Sequence, residues 1–593
     1  MFLRSTRRIK DGKVHKYWSI VENRRLNDGR VVQRQVLYLG EISAEQHEAW
    51  RRSIEVQDGP TRRQVALIAA EQLRPAEVDA IDVCLSQLRL ERPRQWGACW
   101  LALELWQQLE LDSFWGPRLP PSREGTAWLK VLKTLVAYRL IDPGSEWRLH
   151  RQWFDASAMA DLLDCDFAVA AKDTLYRCLD RLVEHKDELF KFLVRRWGEL
   201  FDASFEVLLY DLTSTYFETD EQSGPQDLRQ FGYSRDKRGD CRQVVIALIV
   251  TPQGFPLSYE VMSGNTADNS TLPGFLDRIE QRYGKAQRIW VMDRGIPTEE
   301  SLAKMRTLGA SYLVGTPKGR LSKLEQNFLG QPWTCVRQGI KVKRLSVDED
   351  IYVLAQSDAR TDKERAMRHQ RLRRYIKRLR ALQTQGLTRD KLLMKLGAAK
   401  HAAGRVAVAV KVSLPKKASN ASLEFTIDRA KLRQIRNREG RYLLRTNLGA
   451  EQPERLWAMY VQLTEVEQAF KEIKHDLSIR PIFHQLEQRI QAHIFVAFLA
   501  YCLQVTLKAR LKPLASGLTP RQALDKFKAV QMVDVHIPTQ DGRELTLTRY
   551  TQPEAELRML LQQLRLQLPA QPPPRITPAQ LSAATKTAKA TAV

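Results

Sequence analysis

Asp211, Asp293 and Glu467 are the side chains of this sequence whose types and settings suit joint chemistry. Asp211 closes the apolar run Val207 to Tyr210, and Asp293 closes Ile289 to Met292. Each run reads as a short buried strand delivering a carboxylate to its C-terminal end, where reacting groups gather in sheets with parallel strands. Gly295 lets the backbone turn shortly after the second. Glu467 lies in a helical stripe, with Tyr460, Leu463, Glu467, Phe470 and Lys474 at i, i+3, i+7, i+10 and i+14. Alone, a strand-end aspartate reads as a helix cap, and that stripe as a solvated helix face. Together, three carboxylates from separate elements form an anionic, all-oxygen site for hard divalent cations such as Mg2+ or Mn2+.

The order Asp211, Asp293, Glu467 resembles the DDE transposases of bacterial insertion sequences, in particular the IS1634 branch of the IS4-like group. The third motif of that group is Tyr, two residues, Arg, three residues, Glu, six residues, Lys. This chain has Tyr460, Leu463, Glu467 and Lys474 at those offsets. The departure, Leu463 in place of arginine, bears on a DNA contact and not on the metal site. Arg480 to His484 and Arg489 to His493 carry the same resemblance, as do Tyr17 to Asn23 and Arg34 to Gly40, so that it runs from about residue 15 to about 550. It implies an α/β protein with a ribonuclease H-like catalytic core, interrupted between the second Asp and the Glu by a β-rich insertion domain. It further implies cut-and-paste movement of an insertion sequence by metal-dependent hydrolysis and strand transfer at DNA phosphodiesters, with a hairpin intermediate plausible. Two Mg2+ (or Mn2+) ions about 4 Å apart would be bridged by Asp211, with Asp293 and Glu467 each completing one coordination sphere. Tyr460 and Lys474 would position a phosphate, with Arg294, Arg480 and His484 as further DNA contacts; Arg294 equally reads as the partner of an acid. The implied partners are double-stranded DNA (terminal inverted repeats and target) and a second copy of the chain in a synaptic homodimer. A catalytically inactive DNA-binding relic or repressor, and an RNase H-like nuclease without strand transfer, stay open as alternatives.

Bringing the acids together makes demands on the elements between them. Gln243 to Val250 and Phe255 to Met262 flank a Pro-Gly turn as a hairpin, followed by a helix from Leu272 to Tyr283, the Asp293 strand, a helix from Thr298 to Leu308 and a strand from Ser311 to Val314. A right-handed crossover sets the first and fourth strands side by side, and their carboxylates with them. Strand-like pieces at Val342 to Val347, Ile351 to Ala355 and Val406 to Val412 flank a very basic helix, Lys363 to Arg380. Its Leu372, Tyr375, Ile376 and Leu379 share one face, and the rest either tracks phosphates or is simply solvated. Arg441 to Asn447 returns the chain to the core.

The pattern divides the chain into seven regions. Residues 1–58 form a small basic β-unit turning at Asp11-Gly12 and Asp28-Gly29, and 59–200 a helical domain for which the resemblance implies binding of DNA ends. Residues 201–317 open the core, 318–440 are the insertion, and 441–512 complete the core with the Glu467 helix. Residues 513–568 are expected to be helical, and 569–593, rich in Pro, Ala, Thr and Lys, disordered.

Composition agrees with a nucleic-acid partner. The 593 residues carry 94 Lys plus Arg against 69 Asp plus Glu, a formal charge of +25 that attracts polyanions. The 7 cysteines are scattered without a CxxC or Cys/His cluster, which argues against a disulfide framework or zinc site and for a reducing cytoplasm, a bacterial one by the resemblance. The basic Met1 to Arg8 leads into no apolar region, so no signal peptide is expected. Ala492 to Leu507 is apolar but short of about 20 residues, and is expected to be a buried helix behind the acids; no membrane partner is implied.

Overall fold

The computed structural model describes residues 2–10, 13–25, 31–58, 83–218, 224, 227–284, 287–414, 423–540 and 542–578. Nine strands make one large mixed sheet: β1 Val207–Phe217, β2 Arg242–Val250, β3 Pro256–Ser263, β4 Ile289–Met292, β5 Ser311–Gly315, β6 Thr334–Arg337, β7 Ile340–Val347, β8 Asp350–Ser357 and β9 Arg441–Thr446. Their order across the sheet is β6-β7-β8-β9-β5-β4-β1-β2-β3. β1 pairs with β4 and β4 with β5 in parallel, as the crossover rule requires; the other neighbours are antiparallel.

The helices that matter to the site are α1 Gly97–Gln108, α2 Trp128–Ile141, α3 Leu272–Tyr283, α4 Glu299–Thr307, α5 Asp358–Gln383, α6 Arg389–Ala403, α7 Arg429–Asn437, α8 Pro453–Val461, α9 Leu463–Lys471 and α10 Glu487–Leu511. Strand residues alternate between two apolar layers. Leu208, Tyr210, Leu212, Trp290 and Met292 pack against Phe275 and Leu276 of α3 and Leu302 and Met305 of α4. Leu209, Val291 and Leu313 belong to the opposite layer, with Phe470 of α9 and Phe495 and Phe498 of α10. α10 is long and apolar enough to cross a membrane, yet 94% of its apolar window lies inside the protein. It is a core helix, and α1 and α2 pack against it. Each fully buried Leu or Phe on it contributes roughly 1.5–3 kcal/mol.

Several expectations need correction. Asp211 is not at a strand end: parallel pairing with β4 stops at Tyr210, but β1 continues against β2 through Phe217. The β-branched Thr213 and Thr215 suit that extension. The insertion is not β-rich, because β7 and β8 hydrogen-bond onto β9 and widen the core sheet. What is inserted is mainly α5, α6 and α7, with a two-stranded ribbon of Val410–Ser413 and Glu424–Ile427; Val406 to Ala409 form a 3-10 turn instead of a strand.

The C-terminal region is not purely helical. Gln531–Pro538, Arg543–Tyr550 and Arg575–Pro578, the last from the expected disordered tail, join Arg89–Gln95 in a four-stranded sheet. The first residues do form strands, Phe2–Lys10, Lys13–Arg25 and Val31–Gly40, in an antiparallel sheet. The turns Asp11-Gly12 and Asp28-Gly29, residues 59–82 and residues 579–593 lie outside the described residues.

Candidate active site

Strand alternation decides where the acids point. Tyr210 and Leu212 face α3 and α4, so Asp211 between them faces the opposite layer, where α9 packs on β1. Asp293 follows Met292 directly at the end of β4, next to β1 in the sheet. Glu467 is exposed in the middle of α9. Asp211, Asp293 and Glu467 line one cavity of about 370 Å³, which Tyr460, Arg337, Arg360 and Trp457 also border.

Burial raises the Asp211 carboxyl to about 7, and the charges of Asp293 and Glu467 add to the rise against the pull of Arg235. Among the described residues, no lysine or arginine forms an ion pair with any of the three acids. The Tyr460 hydroxyl donates to Asp293 Oδ1 at 3.1 Å. Burial and the Asp293 charge hold that phenol above its ordinary value, so it stays a donor. Gly315, at the end of β5, makes the approach possible: a Cβ there would lie 2.5 Å from the Tyr460 hydroxyl and 3.3 Å from Asp293 Oδ1. A cluster of three carboxylates without an ion-pair partner among the described residues, one of them partly buried, fits a divalent cation as its counter-charge.

Lys474 is not with the acids. The run from Tyr460 is not one α-helix: α8 stops at Val461, α9 begins at Leu463, and a π-helical turn spans Glu472–Asp476. The wider turn rotates Lys474 off the Glu467 stripe. Its ammonium lies 2.9 Å from Asp236, and Arg480 pairs with the same carboxylate. Burial works against that carboxylate's charge, yet the hydrogen bonds from Arg480 and Lys474 hold it below its usual range. Leu463 is buried and lines the acid cavity. Arg294 is exposed beside Asp293, at an adjoining cavity of about 220 Å³.

His484 does not fit the role of a DNA contact. It is 8% exposed, its Nε2 is 3.3 Å from Glu146 Oε2, and Tyr176 packs edge-on against its ring. A side chain enclosed in this way cannot reach a duplex.

Residues 205–503 match the family described as Transposase DDE domain, and residues 3–65 match the IS1634 family transposase, N-terminal domain. The chain is a DDE transposase of the IS1634 type. It is therefore a DNA transposase, an enzyme that cleaves DNA and transfers strands, and domains of this family generally use divalent metal ions. No curated protein matches the sequence. Among solved structures, the cryo-EM structure of piggyBac transposase synaptic complex with hairpin DNA is similar at 8% identity. The likeness covers 72% of this chain and 79% of that one, with a TM-score of 0.34, too low to bear on the mechanism.

Three residues of the transposase site had no signal in the sequence. Gly315 acts through the space it leaves, Asp236 through a loop that folds back between β1 and β2, and Arg360 through the first turn of α5 reaching the acid cavity. Each depends on a contact between segments far apart in the chain.

Proposed function

We propose that the transposase moves its insertion sequence by cut and paste, with Asp211, Asp293 and Glu467 on an RNase H-like core holding two Mg2+ or Mn2+ ions. The observation that carries this reading is the opening of all three carboxylates onto one cavity with no described cation paired to them. When bound, such ions activate the attacking oxygen and stabilise the leaving one at a DNA phosphodiester. Asp211 on β1, Asp293 after β4 and Glu467 on α9 would hold them. The remaining work falls to other side chains. Tyr460 holds Asp293 in orientation, Asp236 fixes Lys474 and Arg480 as a pair that can meet a phosphate, and Arg294 offers a guanidinium beside Asp293. The DNA is the terminal inverted repeats and the target, met by a synaptic homodimer in the bacterial cytoplasm.

The test is to incubate purified protein with Mg2+ or Mn2+ and duplexes bearing its own element's ends. Nicking, then joining of the freed 3′ end to target DNA, supports cut and paste. Binding without cleavage under either ion would point to a repressor, and cleavage without joining to a nuclease.

The geometry also sets the effect of single changes. Tyr460→Phe should slow cleavage by roughly 10- to 150-fold, the effect of losing one hydrogen bond to a charged group. Gly315→Ala should slow it at least as much, since its methyl group displaces the Tyr460 hydroxyl. Mn2+ binding to the metal-free protein should weaken as pH falls, because the ligand must be deprotonated and Asp211 titrates near 7. Calorimetric titration should find Mn2+ affinity about tenfold lower at pH 6 than at pH 8, with little change above pH 8. A flat profile would show that Asp211 does not bind the ion.

A further inference from the structure

We propose that the groove between α5 and α7 grips the phosphate backbone of the duplex that is cut at the acid cavity, several base pairs away from the cut. The proposal rests on the catalytic reading for its register, and on independent observations for the groove itself. From Arg365 to Gln383, α5 contains no Asp or Glu, and α7 contains none at all. Arg373 with Lys377, and Arg374 with Arg378, stand at i, i+4, where like charges repel. Arg373, Lys377 and Arg380 of α5 and Arg436 of α7 line a groove of about 730 Å³ whose floor includes Leu372 and Ile376. All four cations are exposed, and among the described residues none has an ion-pair partner.

A solvated helix face usually mixes charges of both signs, and the neighbouring arginines show that this region does so elsewhere. Arg368 is buried against Glu439, Arg365 lies 3.3 Å from Asp362, and Arg438 lies 2.9 Å from Glu325. The four groove cations are left without an acid. They cannot spread apart, because Tyr375, Leu379 and Leu382 of α5 pack into a core with Leu392 and Leu396 of α6. A polyanion lying in the groove relieves that repulsion and releases its own counterions.

The position of α5 sets the register. Arg360, in its first turn, lines the acid cavity, with its guanidinium 5.0 Å over the Tyr442 ring. At 1.5 Å per residue, Arg373 to Arg380 lie roughly 20–30 Å further along the helix axis. At 3.4 Å per nucleotide of one strand, that is about six to nine phosphates from the one among the acids. One duplex therefore suffices to reach both.

The test compares wild type with Arg373→Ala/Lys377→Ala/Arg380→Ala, three exposed positions, by titrating a duplex end across a salt series. The slope of log K against log salt should fall in magnitude by roughly two to three, with affinity about 10- to 100-fold weaker at low salt. The charge-conserving Arg373→Lys/Lys377→Arg/Arg380→Lys variant should keep the wild-type slope. On a duplex trimmed to about four base pairs beyond the cut, wild type and the alanine variant should bind alike. Trimming the two sides of the cut separately distinguishes the transposon end from the flanking DNA as the occupant. An unchanged slope in the alanine variant, or an equal loss on duplexes trimmed on both sides, overturns the proposal. Equal slopes with cleavage intact would sink the groove alone. A slope difference in a wild-type protein that never cleaves would sink the catalytic reading alone.

Discussion

Asp211→Asn is expected to lower cleavage and strand joining by roughly a thousandfold or more, about 4 kcal/mol of transition-state stabilisation, while leaving the affinity for DNA ends unchanged. Asparagine keeps the size of aspartate, so the packing of β1 between the two apolar layers is preserved. It removes one negative charge from a cluster of three in which no described lysine or arginine forms an ion pair. The stability readout separates this role from a structural one. The Asp211 carboxyl titrates near 7, above its ordinary value, because burial and the two neighbouring acids disfavour its charge. A raised carboxyl costs stability once pH exceeds the unfolded value, so at pH 8 the folded protein carries that cost in full. Metal-free Asp211→Asn should therefore melt no lower than wild type at pH 8. In Mn2+ the order should reverse, because only wild type gains the ion's binding energy. Undiminished cleavage by the variant would remove Asp211 from the chemistry, and a lower melting temperature without metal would make its role structural.

Local patterns made the central part of the fold legible. The apolar run before Asp293, the hairpin from Gln243 to Met262 and the helices starting at Leu272 and near Thr298 are each built from neighbours in sequence and formed close to the expected bounds. The run before Asp211 formed a strand that starts as expected but continues to Phe217. The rest was hidden in pairings over long separations. Arg89–Gln95 finds its partner strand more than four hundred residues later, in a region that reads as helical on local grounds. β7 and β8 read as part of an insertion because sequence does not reveal that β9 adds them to the core sheet. At the site, the acids follow from strand ends and a helical stripe, but an ideal 3.6-residue repeat misplaces Lys474 because it cannot foresee a π turn. His484 failed as a DNA contact for a related reason. A histidine next to basic residues looks exposed until the acid that encloses it, Glu146, arrives from far upstream.

That same acid gives the second large effect: Glu146→Ala should destabilise the transposase by roughly 3–5 kcal/mol, the cost of stranding a buried charge. Arg139 is 3% exposed and its Nη2 lies 3.7 Å from Glu146 Oε1, itself buried. The guanidinium donates through Nη1 to the Ser478 carbonyl at 3.2 Å and lies 3.4 Å from His493 Nδ1. His493 Nε2 is 3.2 Å from the Ile479 carbonyl. The network thus ties α2 to the segment that follows the Glu467 helix and carries Arg480, and it holds Ser478 in the left-handed region at φ 43°. Glu146, His484 and His493 lie close enough to hold a metal ion, but Arg139 already supplies the positive charge beside them. Burial is the largest influence on His493 and lowers it to about 4, so the ring is neutral at pH 7. As pH falls from 6.5 to about 4 the unfolded chain takes up this proton first, and up to roughly 3 kcal/mol of stability present above pH 6.5 is lost. Urea denaturation at pH 7.5 measures the first effect, and the same series down to about pH 4 the second. Glu146→Ala/Arg139→Met should recover most of the loss because it removes both charges together. If Glu146→Ala stayed within about 1 kcal/mol of wild type, the guanidinium would have to be reaching water, and Ser478 and the segment leading to Arg480 would need some other anchor.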